Sequence, residues 1–121
     1  MKYFYDSYAV IEYFKGNEKY KKYFEEAVGI LTNMNLIEIH YQLLTEFSEK
    51  DADDAVKEFQ SFLITPEIND LIEASKFRKK HRKRNLSYTD CVGYTIAKKE
   101  KIMFLTGDKE FEGMENTEFI K

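Results

Sequence analysis

Four acidic residues, Asp6, Glu38, Asp90 and Asp108, stand where a carboxylate can do chemistry as well as solvate a surface. Asp6 is wedged between the short stretch "KYFY" and the helix-like "SYAVIEYF". Glu38 closes "NLIE", Asp90 closes "SYTD", and Asp108 lies just beyond the apolar run Ile102–Leu105. Singly, each has an ordinary explanation. Asn or Ser followed three residues later by an acid has the form of a helix capping box, and an acid in a first helical turn is favourable by about 0.3–1 kcal/mol. The stretch "TGDK" suits a turn whose Asp bonds its own backbone. Together the acids mean something else. Converging carboxylates repel and raise one another's pKa values, a conflict that a divalent cation resolves. Oxygen donors alone suit Mg²⁺ or Mn²⁺ and not zinc.

The elements that must position these acids follow from pattern. Lys2–Tyr5 reads as a strand ending at Asp6, and Ser7–Lys15 as a helix stopped by Gly16-Asn17. A helix over Glu18–Ala27 and a strand over Val28–Thr32 come next, followed by a long helix opened by Asn35 and running to about Lys50. Ala52–Ser61 and Glu67–Lys83 read as helices, with Phe62–Ile64 as a short strand or extended link between them. Ser87 to Glu100 is a further helix, Ile102–Leu105 a strand, and Thr117–Ile120 a last strand. Strands alternating with helices of these lengths predict an α/β fold, a three-layer α/β/α arrangement on a mostly parallel central sheet. In such a fold the ends of strands and the starts of the following helices share one edge, where ligand sites form. Asp6 and Asp108 lie past strand ends, and Glu38 and Asp90 are expected in first helical turns. All four are thus predicted on one edge.

Residues 1–121 read as one domain with one core, since Gly and Pro number only 5 and 1 and no linker or repeat interrupts the chain. With 10 Phe, 9 Tyr and no Trp, a Phe-rich core under a Tyr-bearing surface is expected. The single cysteine, Cys91, excludes an internal disulfide and a cysteine zinc cage, and is read as packing. No apolar run approaches a membrane span of about 20 residues, and no leader pattern opens the chain, so a cytoplasmic location is expected. The formal net charge of −3 gives no global attraction to nucleic acid. Yet all three arginines, Arg78, Arg82 and Arg84, fall in "RKKHRKR" with Lys79, Lys80, His81 and Lys83. Such a run complements a helix C-terminus or clamps phosphates.

The chain resembles the PIN-domain nucleases over essentially its whole length, and in size and layout the VapC-type toxins of prokaryotic toxin–antitoxin pairs. The likeness is sharpest in "YFYDSYAVIEYFKGN", "TNMNLIEIHYQLL" and "LSYTDCVGYTIAKKEKIMFLTGDKEF". Asp6-Ser7 matches the family's first acid and the small polar residue after it, Glu38 its helix-borne glutamate, Asp90 its third acid, and Thr106-Gly107-Asp108 its Thr-x-Asp element. The resemblance implies a Mg²⁺-dependent (Mn²⁺ possible) ribonuclease with Asp6, Glu38, Asp90 and Asp108 catalytic. Of these, Asp6, Asp90 and Asp108 would hold the metal. In-line attack of water on phosphorus would leave a 5′-phosphate and a 3′-hydroxyl. Ser7 and Thr106 would orient the carboxylates, and Arg78, Lys79, Arg82, Lys83 and Arg84 would grip the RNA backbone. Many relatives carry one more acidic or amide residue after the last aspartate; Glu110, Glu112 and Asn116 are all candidates, leaving one or two metals open. A small antitoxin protein and a homodimer are the implied partners. Tyr8, Tyr13, Tyr20, Tyr23 and Phe24 offer either a groove for a partner helix or packing between the first helices.

A non-catalytic PIN-like module that binds RNA or protein has no evident use for mutually repelling carboxylates, and a housekeeping RNA-processing nuclease would share the same site. A phosphate-accepting receiver domain needs a central acceptor aspartate at a mid-chain strand end, which the sequence lacks. Nothing suggests that both histidines, His40 and His81, lie near the acids; His40, two residues from Glu38, either approaches the site or takes a surface or core role, the latter being favoured. Ser-, Cys- or Lys-nucleophile motifs and phosphate-binding glycine loops are absent.

Overall fold

The computed structural model describes all residues, Met1–Lys121. Four parallel strands form the sheet: β1 (Lys2–Tyr5), β2 (Val28–Ile30), β3 (Met103–Thr106) and β4 (Thr117–Phe119), in the order β2-β1-β3-β4. The helices are α1 (Ser7–Phe14), α2 (Lys21–Glu25), α3 (Asn33–Glu46), α4 (Glu49–Glu58), α5 (Ile68–Lys80) and α6 (Tyr88–Glu100). They flank the sheet on both faces, completing a three-layer α/β/α fold. The expected "mostly parallel" sheet is parallel throughout.

Alternation along β1 feeds both faces of the sheet, which belong to one core cluster. Phe4 points to one face, where its ring stacks on Phe104 and both lie against Gly93 of α6. Tyr3 and Tyr5 point to the other, where Tyr3 meets Tyr23 and Tyr5 stacks on Phe24 at 4.2 Å between ring centroids. Phe24 in turn stacks on Tyr13 and meets Phe59 edge-on. This aromatic layer corrects one expectation and decides another. Tyr3, Tyr5, Tyr20, Tyr23 and Tyr94 are buried and not surface residues. Of the two readings of Tyr8, Tyr13, Tyr20, Tyr23 and Phe24, packing holds, since of these only Tyr8 is exposed. A buried tyrosine needs a partner for its hydroxyl. Tyr5 donates to the Tyr23 carbonyl at 2.7 Å, and Tyr23 to Glu118 at 2.9 Å.

Helix boundaries depart from the sequence reading where a better cap lies nearby. Thr32, not Asn35, caps α3: Asn35 Oδ1 accepts from the Thr32 N–H at 3.0 Å and from its hydroxyl at 2.9 Å. Glu38 therefore sits in the second turn of α3 and not the first. The long helix expected to reach Lys50 ends at Glu46, and Ser48 caps α4 by accepting from the Asp51 N–H at 3.1 Å. The Glu18–Ala27 helix splits into a 3₁₀ turn at Glu18–Tyr20 and the short α2. Leu63 makes a single parallel bridge to Leu31 instead of a strand. Helix α5 stops at Lys80, so residues 81–84 of the basic run form a turn.

Strand order locates the functional edge. From β1 the chain crosses to β2 on one side, and later places β3 on the other. The crevice beyond the carboxyl ends of β1 and β3 is thus the topological switch point of the sheet, where open α/β folds bind ligands. No helix is long and apolar enough to cross a membrane.

Candidate functional site

At that switch point lies an open cleft of about 370 Å³ lined by Asp6, Glu38, Asp90 and Asp108 together with Ser7, Tyr8, Tyr41, Gln42 and Ser87. All four sequence-predicted acids are brought together, each from a different element.

Asp6 is the residue between β1 and α1. Its N–H donates to the Leu105 carbonyl at 3.1 Å, extending the β1–β3 ladder by one rung and fixing the backbone beneath the cleft. Its carboxylate is only 2% exposed and accepts from the Thr106 hydroxyl at 2.6 Å. Thr106 in turn accepts from the Asp108 N–H at 3.0 Å, so one hydroxyl sets the orientation of Asp6 and the path of the Asp108 turn. Asp108 Oδ1 accepts from the Glu110 N–H at 3.0 Å, which closes that turn.

On α3, Glu38 accepts from the Ser7 hydroxyl at 2.7 Å, and Ser7 itself accepts from the buried Asn35 amide at 3.0 Å. Asn35 was read from sequence only as a cap; it is the post on which Ser7, and through it Glu38, is aimed. Its signal was present as "TNMN", a Thr followed three residues later by Asn. Asp90 sits at the third position of α6 in the expected capping box. It accepts from the Ser87 N–H at 2.9 Å while its own N–H donates to the Ser87 hydroxyl at 3.0 Å.

The electrostatics are those of a negative cluster without a counter-charge. None of the four acids takes part in an ion pair with Lys, Arg or His. Burial holds the Asp6 carboxyl well above the usual range, reinforced by Asp90 and more weakly by Asp108 and Glu38, against the lowering effect of the Thr106 hydrogen bond. Burial likewise pushes Asp90 up to about 6, with Glu38 and Asp108 adding to it while the Ser87 hydrogen bonds oppose it. The side chains as placed do not converge into a ready coordination shell of three. Glu38 leans on Ser7 and Asp90 on the Ser87 N–H, so each is engaged on one oxygen. The donor set nonetheless fits a hard divalent cation: oxygen ligands only, high negative charge density, and no protein cation competing.

The basic run, the later acids and the histidines do not line the cleft. Arg78 lies over the Tyr88 ring at 4.3 Å, and its Nε donates to the Leu86 carbonyl at 3.1 Å. Arg84 donates to the Glu110 carbonyl, and Glu110 Oε1 accepts from the Asn85 N–H at 3.0 Å. Both arginines thus tether the loop that leads to Asp90; Arg78, Lys79, Arg82, Lys83 and Arg84 are all exposed, and Arg82 donates to the Lys79 carbonyl at 3.4 Å. Glu110, Glu112 and Asn116 do not line the cleft; Asn116 donates to the Ile102 carbonyl at 2.8 Å. His40 pairs with Asp53 at 2.7 Å and His81 packs on Phe77, both away from the acids. Burial pushes the Cys91 thiol up to about 11, in keeping with a packing role.

A family model described as the PIN domain matches residues 3–116. The chain belongs to the PIN-domain family. Solved structures share its fold at low identity. A toxin–antitoxin complex from Klebsiella pneumoniae matches with a TM-score of 0.75 and 16% identity, covering 98% of this chain and 96% of the other. VapBC2 from Rickettsia felis, bound to a DNA fragment from its promoter, matches at 0.74 and 15%, covering 99% and 98%. Mycobacterium tuberculosis VapC20, described as a sarcin–ricin-loop-cleaving toxin, matches at 0.73 and 13%, covering 91% of each chain. No curated protein matches in sequence. For this PIN domain, the cleft at the β1–β3 switch point is where four acids from four elements meet.

Proposed function

We propose that this PIN domain is a divalent-metal-dependent endoribonuclease and acts as the toxin of a toxin–antitoxin pair. The observation that carries the reading is the convergence of Asp6, Glu38, Asp90 and Asp108 on one cleft with no cationic side chain among them. Carboxylates at such density are costly unless a cation binds. Asp6, Asp90 and Asp108 supply the oxygen donors for Mg²⁺ or Mn²⁺. Bound there, the cation supplies Lewis acidity at the scissile phosphate and lowers the pKa of water. Glu38, steadied by Ser7, completes the donor set or orients the attacking water. Thr106 fixes Asp6 against rotation. Lys79, Arg82 and Lys83 offer exposed charge for the RNA backbone beside the cleft, and Arg78 and Arg84 hold the loop that presents Asp90.

The toxin assignment rests on the fold neighbours, two of them toxin–antitoxin complexes and one described as a sarcin–ricin-loop-cleaving toxin. Exposed apolar residues, Leu44 of α3, Phe47 just past its end, and Ile68, Leu71 and Ile72 of α5, provide surface for an antitoxin or a second copy to cover. The test is incubation of purified protein with a mixed RNA pool in Mg²⁺ or Mn²⁺, with EDTA and Asp90→Asn controls. Fragments bearing 5′-phosphates are expected, lost in both controls. RNA left intact in either metal, or cleavage that persists in EDTA, overturns the proposal.

A further inference from the structure

Of the nine tyrosines, Tyr8, Tyr41 and Tyr88 are the only ones classed as exposed, at 44%, 66% and 67%. Each lies within three residues of a cleft acid in sequence. Tyr8 follows Asp6-Ser7, Tyr41 is one helical turn after Glu38, and Tyr88 stands between Ser87 and Asp90. Tyr8 and Tyr41 line the cleft itself, as does Ser87 beside Tyr88. Elsewhere this protein buries its tyrosine rings or packs them on phenylalanines, so two open rings lining one cleft, with a third next to its Ser87, are not a consequence of composition.

Two of the rings are also held. Tyr8 packs against the Thr106–Asp108 turn so closely that a methyl group at Gly107 would lie 2.7 Å from its Cε1. Tyr88 is stacked by the Arg78 guanidinium at 4.3 Å, on the arginine that tethers the loop into α6. A fixed, exposed aromatic face beside a phosphate-processing centre is what a single-stranded nucleic acid uses to stack its bases. The neighbouring basic run favours a polyanionic partner over an apolar protein surface.

We propose that Tyr8, Tyr41 and Tyr88 form a base-stacking rim that seats the bases of the RNA on either side of the scissile phosphate. The proposal rests on the ribonuclease reading of the cleft, and its test is separable from it. Fluorescence anisotropy is measured in EDTA, where cleavage is stopped, with two labelled probes: an unstructured 12-nucleotide RNA and an abasic ribose-phosphate chain of the same length. Tyr8→Ala and Tyr41→Ala are each expected to weaken the RNA by about 5- to 150-fold, the range for losing one stacked base, and to leave the abasic chain unchanged. Tyr8→Phe and Tyr41→Phe, which keep the ring, are expected to bind like the wild type. Unchanged RNA affinity in the alanine variants overturns the rim, as does an equal loss on the abasic chain, or a changed oligomeric state with RNA affinity intact. Wild-type protein that binds neither probe also overturns it, while metal-dependent cleavage of the RNA pool then decides the nuclease reading independently.

Discussion

Thr106 carries two jobs with one hydroxyl, donating to Asp6 and accepting from the Asp108 N–H. Thr106→Val keeps the shape of the side chain and removes both bonds. Residues that orient metal-binding carboxylates in this way typically change metal affinity or activity by about 10–100-fold. A loss of that size in RNA cleavage, with the folded state retained by circular dichroism, is expected; wild-type activity would show that Asp6 needs no such hold. The acids themselves set a pH response. Folding raises the pKa of Asp6 and takes Asp90 to about 6, so between the unfolded and folded values the native state binds more protons than the unfolded chain. The contribution of these groups to stability is therefore full below their unfolded pKa values, near 4, and is lost as pH rises through their folded ones. In EDTA, lowering the pH from about 7.5 to 5.5 is expected to raise the melting temperature by roughly 5 °C. Saturating Mg²⁺ at pH 7.5 is expected to restore the same stability by neutralising the cluster. A thermal-shift series with and without metal measures both.

At the scale of elements, the local signals legible in the sequence were those whose energetics are local. The strand–helix alternation, the capping box of Ser87 and Asp90, and the turn at Asp108 rest on neighbours a few residues apart, and each was foreseen. The start of α3 was misplaced because two overlapping boxes compete, and the Thr32–Asn35 pair wins by joining Asn35 to Ser7, 28 residues away. The tyrosines were misassigned to the surface for a similar reason. Tyr5 and Tyr23 are buried because a carbonyl and a carboxylate satisfy their hydroxyls, and Glu118 lies 95 residues from Tyr23. Helix α6 shows how closely an element must seat. A methyl group at Gly93 would fall 2.5 Å from the Phe4 ring, on the side of the helix that meets β1 and β3. Gly93→Ala adds helix propensity yet overpacks that contact, and a net loss of about 1–3 kcal/mol is expected. Urea denaturation with unchanged slope and a lower midpoint would bear this out, and a stabilised variant would refute the close packing of α6 on the sheet.

At the scale of the molecule, the site exists only because the fold brings distant parts of the chain together. Asp6 and Asp108 are neighbours because β1 and β3 pair in parallel, although about a hundred residues separate them. The α3 and α6 helices then add Glu38 and Asp90. What sequence could not supply was the division of labour in the basic run: Arg78 and Arg84 donate to carbonyls outside it, which depends on where the Asp90 loop comes to rest, whereas Arg82 donates to the Lys79 carbonyl within it. The central claim is that this assembled cleft is a cation site. Calorimetric titration of Mn²⁺ into the wild type, Asp90→Asn and Glu112→Gln tests it most directly, because Glu112 is an exposed acid outside the cleft. Binding by the wild type and by Glu112→Gln, weakened by about 10-fold or more in Asp90→Asn, is the expected result. No binding by the wild type, or equal affinity in Asp90→Asn, would contradict the account.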